Sequence, residues 1–204
     1  METFLDFLDG RHSVRHFNPR DTLPRSLAQS ILEHASQAPP GNNFQPWRVV
    51  VVRNKEKQAH LAQLAAGQVQ VKDASAVFLV FGDKLAYDLD WWQEFHLQRG
   101  AISRAEVAGK LSRIEAYFKL HPEDKDLEGL RLDVGLFAMN LMHVVRSFGY
   151  DSVPMRGADF TAIKAYLQLP ENWEPILMLP VGKALTPGYP HARRPVKDFT
   201  RFID

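Results

Sequence analysis

Four short stretches concentrate side chains that can hold an anion or the polar edge of a heterocycle. The first is Arg11-His12-Ser13-Val14-Arg15. In extended chain, alternate residues share a side, so Arg11, Ser13 and Arg15 would present two guanidiniums and a hydroxyl together. Guanidinium donors are planar and paired, which matches phosphate oxygens. A solvated surface turn is the plainer reading of the same residues. The second stretch runs from Pro39 to Trp47 and holds Pro39, Pro40, Gly41, Asn42, Asn43, Gln45 and Pro46. Its prolines stiffen the loop, and its amides supply both donors and acceptors, as a heterocycle's mixed edge requires. An ordinary helix-to-strand loop is the alternative. The third stretch is Val153-Pro154-Met155-Arg156-Gly157, where Gly157 would let backbone approach a flat ligand closely. The fourth, His191-Ala192-Arg193-Arg194-Pro195, adds cationic groups near the C-terminal end or is simply a solvated basic run.

Composition narrows the chemistry. The chain has no cysteine, which removes disulfide scaffolds, thiolate metal sites, iron–sulfur clusters and thiol nucleophiles. Its eight histidines show no metal-ligand spacing, so no metal is expected. A formal net charge of +1 argues against a generic nucleic-acid binder while leaving room for a local basic pocket. The opening METFLDFLDG lacks the layout of a signal peptide. No apolar run approaches the roughly 18 residues of a membrane span. The expectation is a cytoplasmic protein without a membrane partner.

The elements that must position these stretches follow from periodicity. Phe4 to Leu8 suggest a short amphipathic helix stopped by Gly10, and Pro24 opens a second helix carrying Leu27, Ile31, Leu32 and Ala35. Trp47 to Val52 reads as a strand, Lys55 to Ala65 as a helix, and the continuous apolar run Ala76 to Phe81 as a strand buried on both faces. Leu85 to Lys119 is helical in pattern with a break near Gly100. Leu130, Val134, Phe137, Leu141, Val144 and Phe148 form one broad stripe of a long helix ending at Gly149. A helix near Ala162 to Leu167 and a strand Ile176 to Val181 complete the regular part. Strands separated by helices predict an α/β or α+β sheet layered with helices, in a single domain spanning 1–204. Residues 185–204 form an extended arm whose Phe199, Phe202 and Ile203 dock either on a partner subunit or on their own core.

In order and wording, the four stretches resemble the FMN-dependent nitroreductase family. The matching pieces are R-H-S-V-R-H-F (Arg11 to Phe17), N-F-Q-P-W (Asn43 to Trp47), G-Y-D-S-V-P-M-R-G (Gly149 to Gly157), L-P-V-G (Leu179 to Gly182) and R-R-P-V-K-D-F (Arg193 to Phe199). The resemblance implies an α+β three-layer sandwich, with a central mixed or antiparallel sheet and helices on both faces, in an intertwined homodimer. It implies FMN at each subunit interface, with NAD(P)H as reductant and a nitroaromatic, quinone or similar small acceptor. Hydride would pass through flavin N5 by a ping-pong route without a catalytic side chain. Arg11, His12, Ser13, Arg15, His191 and Arg193 would hold the phosphate end and part of the ring, Arg15 standing near the pyrimidine edge where reduction places negative charge. Pro39, Pro40, Gly41 and Asn43 would come from the partner. Pro154, Met155, Arg156 and Gly157 would lie beside the ring and N5, and Gln70 would supply a further contact. Tyr117 and Phe118 are the candidate substrate contacts, with Trp91, Trp92 and Phe95 as roof or core.

The chain departs from the family's pattern in places. Serines common in the family are replaced by Pro40 and Gly41, which leaves backbone contacts in place of hydroxyls. Arg156 stands where some relatives have an acid, and a cation there favours an anionic partner, NADPH over NADH. His191 occupies a position where lysine is frequent. Rival readings are a same-fold flavoenzyme with another acceptor (flavin-fragmenting or dehalogenating), a non-catalytic FMN carrier or redox sensor, and a basic-pocket domain that binds no flavin.

Overall fold

A computed structural model describes residues 3–203. Helix α1 (Phe4–Asp9) starts where the Thr3 hydroxyl and the Asp6 carboxylate cap each other's backbone N–H groups. Pro24 precedes α2 (Arg25–Ala35), and a 3-10 turn at Gly41–Asn43 leads into β1 (Trp47–Val52). Asn54 caps α3 (Lys55–Leu64), which is followed by the short α4 (Val69–Asp73) and β2 (Ala76–Asp83). The helical stretch expected from Leu85 divides into α5 (Leu89–Gln98), N-capped by Asp88, and α6 (Arg104–Leu120), opened by a Ser103/Glu106 capping box. After a 3-10 turn at Pro122–Lys125 comes α7 (Leu127–Ser147), then β3 (Asp151–Ser152), α8 (Phe160–Leu167) and β4 (Trp173–Gly182).

The four strands lie in the order β1-β2-β4-β3, and every neighbouring pair is antiparallel, so the sheet is not mixed. Strand periodicity then divides the core. Ala76, Phe78 and Val80 of β2 face α2 and α7, where Leu23, Ile31, Leu130, Val134, Phe137 and Leu141 are buried. Val77, Leu79 and Phe81 face the opposite layer, packed with Leu61, Ala62, Val71 and Ile163 from α3, α4 and α8. Helices on both faces explain why β2 is apolar without alternation. The fold is α+β in three layers. Burying a side chain such as Phe78 or Phe137 fully contributes about 1.5–3 kcal/mol each. A smaller cluster of Phe44, Trp92, Ile102, Ile114 and Phe118 joins α5 and α6 to the Gly41 turn.

Several apolar groups remain outside these clusters. On α7, Leu132, Leu136 and Met139 are exposed at i, i+4 and i+7, one stripe on the helix face turned away from the sheet. Among the described residues beyond Gly182 there is one 3-10 turn, at Val196–Asp198. Phe199, Phe202 and Ile203 are all exposed, so the arm does not dock on its own core. Among the described residues no helix is long and apolar enough to cross a membrane.

Candidate functional site

Residues Arg11 to Phe17 form an extended strip across the ends of β3 and β4. Ser13 bridges Ser152, with Val14 N–H donating to the Ser152 carbonyl at 3.2 Å, and Phe17 bridges Ala184. Val14 and Phe17 anchor the strip in the core. The arm then returns along it. Leu185 N–H donates to the His16 carbonyl at 2.8 Å, and Gly188 passes so close that a Cβ there would stand 2.6 Å from His12 Cβ and 2.9 Å from the Ser13 carbonyl oxygen. Only glycine permits that approach.

The return brings the first and fourth sequence stretches together. The rings of His12 and His191 stack with centres 4.1 Å apart. Arg11 is close enough to Arg193 that burial, and then that like charge, hold its pKa down. Burial, Arg193, His12 and Arg11 likewise depress His191. Arg15 stands 5.7 Å from the centre of the Tyr189 ring. None of the ion pairs among the described residues involves Arg11, Arg15 or Arg193. The nearby carboxyl of Asp151 is pushed up by burial and pulled back by Arg146, His12 and Lys183. This concentration of cations suits an anion with several oxygens. Strict alternation of Arg11, Ser13 and Arg15 describes it incompletely, because His12 also joins the cluster while Phe17 turns inward.

The third stretch extends from the same place. Ser152, which pairs with Ser13, leads directly to Pro154, Arg156 and Gly157, all exposed, and to Met155, which is buried and bridges Met178. A Cβ on Gly157 would meet nothing within 4 Å, so this turn faces open space. Gln70, on α4, is buried, and its amide points at Met155 Sδ, 3.7 Å away. Its position beneath the Pro154–Gly157 turn joins it to this half of the site. Its NH2 is already engaged by Gln68 and Met155.

The second stretch lies elsewhere. Gly41 N–H donates to Asp133 Oδ1 at 2.8 Å, and Tyr87 O–H donates to Asp133 Oδ2 at 2.9 Å. Asn42, Asn43 and Gln45 all have positive φ, a conformation asparagine tolerates better than most residues. Trp92 Nε1 holds the Asn42 carbonyl at 2.6 Å. His96 donates from Nδ1 to the Trp92 carbonyl, which leaves Nε2 to accept from the Asn43 amide at 3.0 Å. The turn is therefore fixed from its own chain by Asp133, Trp92 and His96. Burial pushes the Asp133 carboxyl above its usual range, against the pull of its bonds to Gly41 and Tyr87. The Tyr87 hydroxyl is raised by burial and by Asp133.

A cavity of about 300 Å³ opens here. It is lined by Pro39, Pro40 and Gly41 and also by the substrate candidates Tyr117 and Phe118. Phe118 is mostly buried against Phe44 and Tyr87, whereas Tyr117 is exposed. Trp92 belongs to the core, and Trp91 is part-exposed over Phe95. Asp133 and Tyr87 were not among the sequence candidates. An acid at position 133, beside the apolar stripe of Leu130, Val134 and Phe137, was the available signal.

The two halves are separated along α7. The Gly41 turn meets that helix at Asp133, while Arg11 lies beside His143, whose pKa it lowers. Ten residues of helix span about 15 Å. Among the described residues, no group of three or more His, Asp and Glu is placed to hold a metal ion.

Comparison with known proteins fits this arrangement. The putative NAD(P)H nitroreductase YdgI of Bacillus subtilis is 32% identical over 198 residues, covering 95% of this chain and 94% of that protein. A crystal structure of a nitroreductase-like protein (smu.346) from Streptococcus mutans superposes with a TM-score of 0.96 at 66% identity, covering 98% of both chains. A putative nitroreductase from Exiguobacterium sibiricum, solved in complex with FMN, superposes with a TM-score of 0.90 at 31% identity over 100% of this chain and 98% of that one. A family model described as the nitroreductase family matches residues 8–183, and the chain belongs to that family.

Proposed function

We propose that this chain is a cytoplasmic FMN-dependent NAD(P)H oxidoreductase that reduces nitroaromatics, quinones or similar small acceptors, and that it works as a homodimer. The observation that carries the reading is the pair of guanidiniums Arg11 and Arg193, in no ion pair among the described residues, with the stacked His12 and His191 rings beside them, joined through the Ser13–Ser152 bridge to the open Pro154–Gly157 turn. A phosphate fits the cluster, because it replaces mutual repulsion with charge-assisted hydrogen bonds. A flat ring fits beside Gly157, where nothing stands in the way. FMN, when bound, supplies a ring that accepts hydride from the nicotinamide and passes it to the acceptor.

The chain's own contribution is placement and charge. Arg11, His12, Ser13 and Arg193 hold the phosphate end. Arg15, exposed and reaching toward Tyr189, supplies positive charge where the reduced ring gains negative charge. The backbone N–H groups of Arg156 and Gly157 make no hydrogen bond among the described residues and can bond the ring edge, while those of Met155 and Ala158 are engaged. Donor and acceptor take turns over one face, so no side chain has to act as base in the first half. In this reading Pro39 to Asn43, with Tyr117 and Phe118, face the flavin held by the other subunit. The roughly 15 Å between the halves within one chain, the exposed Leu132-Leu136-Met139 stripe and the exposed arm all favour that arrangement. The arm has a place to go. β1 is an edge strand, and beside it Leu32, Trp47, Val49 and Phe137, together with Gln29, Glu33 and Ser36, line a groove.

Subunit complementation tests the reading. Arg11→Ala disables the cation half and Asn43→Ala the turn half. Co-expressed, they form mixed dimers in which one of the two sites is intact, so activity should recover to about a quarter of wild type from two nearly inactive parents. No recovery would show that each chain builds its site alone.

A further inference from the structure

We infer that the cavity beside the Gly41 turn selects acceptors by charge, favouring cationic over anionic ones, and that Asp124 sets this preference. The inference rests on the reading of this cavity as the acceptor site and specifies its substrate class.

The lining of the cavity is asymmetric. Pro39, Pro40, Phe118, Leu132 and Leu136 give it apolar walls, and its polar side chains include Tyr87, Tyr117, Asp124 and Asp133. No lysine, arginine or histidine lines it. The two carboxylates differ in what they can offer. Asp133 is buried and committed, with one oxygen taken by Gly41 N–H and the other by the Tyr87 hydroxyl. Asp124 is only part-buried, lines the cavity and accepts from the Tyr117 hydroxyl with Oδ2, while its Oδ1 makes no hydrogen bond among the described residues.

Asp124 is also built into place. It lies in the Pro122–Lys125 turn, which sits directly on α7 because residue 129 is glycine. A Cβ on Gly129 would come within 2.1 Å of the Asp124 carbonyl oxygen, so any other residue there would lift the turn away. Cations stand outside the lining. Lys125 holds its ammonium 5.9 Å from the Phe118 ring centre and Arg156 belongs to the other half of the site. A carboxylate about 8 Å from a bound charge, at an effective dielectric near 40, changes binding about fivefold in each direction.

The test uses the flavin-loaded protein without reductant and measures dissociation constants calorimetrically for 4-nitrobenzylammonium and 4-nitrobenzoate. Wild type should bind the cation about 25-fold more tightly than the anion, and Asp124→Asn, which keeps an acceptor for Tyr117, should reduce that ratio by about the same factor. Glu115→Gln, a neutralised exposed acid on α6 outside the cavity, should leave the ratio unchanged. A wild-type ratio near or below one, or one that Asp124→Asn leaves unmoved, would overturn the inference. An equal change in Glu115→Gln would overturn it in favour of overall charge. Flavin uptake with no binding of either compound would remove this inference alone, whereas failure to take up flavin would remove it together with the function it rests on.

Discussion

Replacing Arg193 by alanine separates cofactor binding from folding with opposite signs. Arg193 is exposed and makes no ion pair among the described residues. Its influence on its neighbours is repulsive, since it lowers the pKa of both Arg11 and His191. Removing it should leave the flavin-free protein as stable as wild type, or slightly more so. With flavin bound, the same change removes one charge-assisted contact to phosphate, worth about 1.5–3 kcal/mol. Exposure places the effect toward the lower end, so FMN affinity should fall roughly 10- to 30-fold. The loss should shrink as salt rises, because exposed charges are screened. Quenching of FMN fluorescence on titration reads the affinity at two salt concentrations, and thermal unfolding of the flavin-free protein reads stability. Unchanged affinity would refute the phosphate assignment. Weaker affinity with a parallel fall in flavin-free melting temperature would refute the reasoning differently, by showing that Arg193 supports the fold.

Other consequences follow from the same geometry. Asp133→Ala leaves Gly41 N–H and the Tyr87 hydroxyl without partners and should destabilise the protein by about 2–4 kcal/mol in chemical denaturation. Because burial raises the folded-state pKa of Asp133, its contribution is fully present below the unfolded pKa near 4 and is lost as pH rises through the folded value. The melting temperature of Asp133→Asn should therefore gain on wild type between pH 4 and pH 7, and a constant difference would contradict the assignment. Charging the arm with Phe199→Asp and Phe202→Asp touches nothing buried within one chain, so it should shift sedimentation toward monomers while the monomer keeps its helical spectrum. Arg156→Glu should reduce kcat/KM with NADPH relative to NADH by up to about fivefold, the range of an exposed ion pair. Equal ratios in both proteins would end that role for Arg156.

The sequence revealed the elements that stand on local physics. β2 was readable because both its faces are buried, so its run is apolar without a break. α7 was readable from its three-and-four spacing, and α2 from Pro24. α4 was not legible, since five residues between Gly67 and Ala74 are too short to show a period, yet it carries Gln70. The start of α5 was misjudged because Asp83 accepts from Leu85 N–H and holds Lys84 and Leu85 in a turn, and the helix begins only after the cap at Asp88. In the candidate site, the cation cluster followed from residue types and family wording. Its closure by Gly188 did not, because that contact joins segments about 175 residues apart. The partnership of Asp133 with Gly41, 92 residues away, was likewise invisible in one dimension.

The most direct test of the central claim is an absorption spectrum of the purified protein, saturated with FMN and then mixed with NADPH and NADH in the absence of oxygen. The account predicts a protein-bound flavin band that bleaches with at least one nicotinamide and returns when a quinone or nitroaromatic is added. A protein that retains no flavin after gel filtration, or a bound band that neither nicotinamide bleaches, would contradict it.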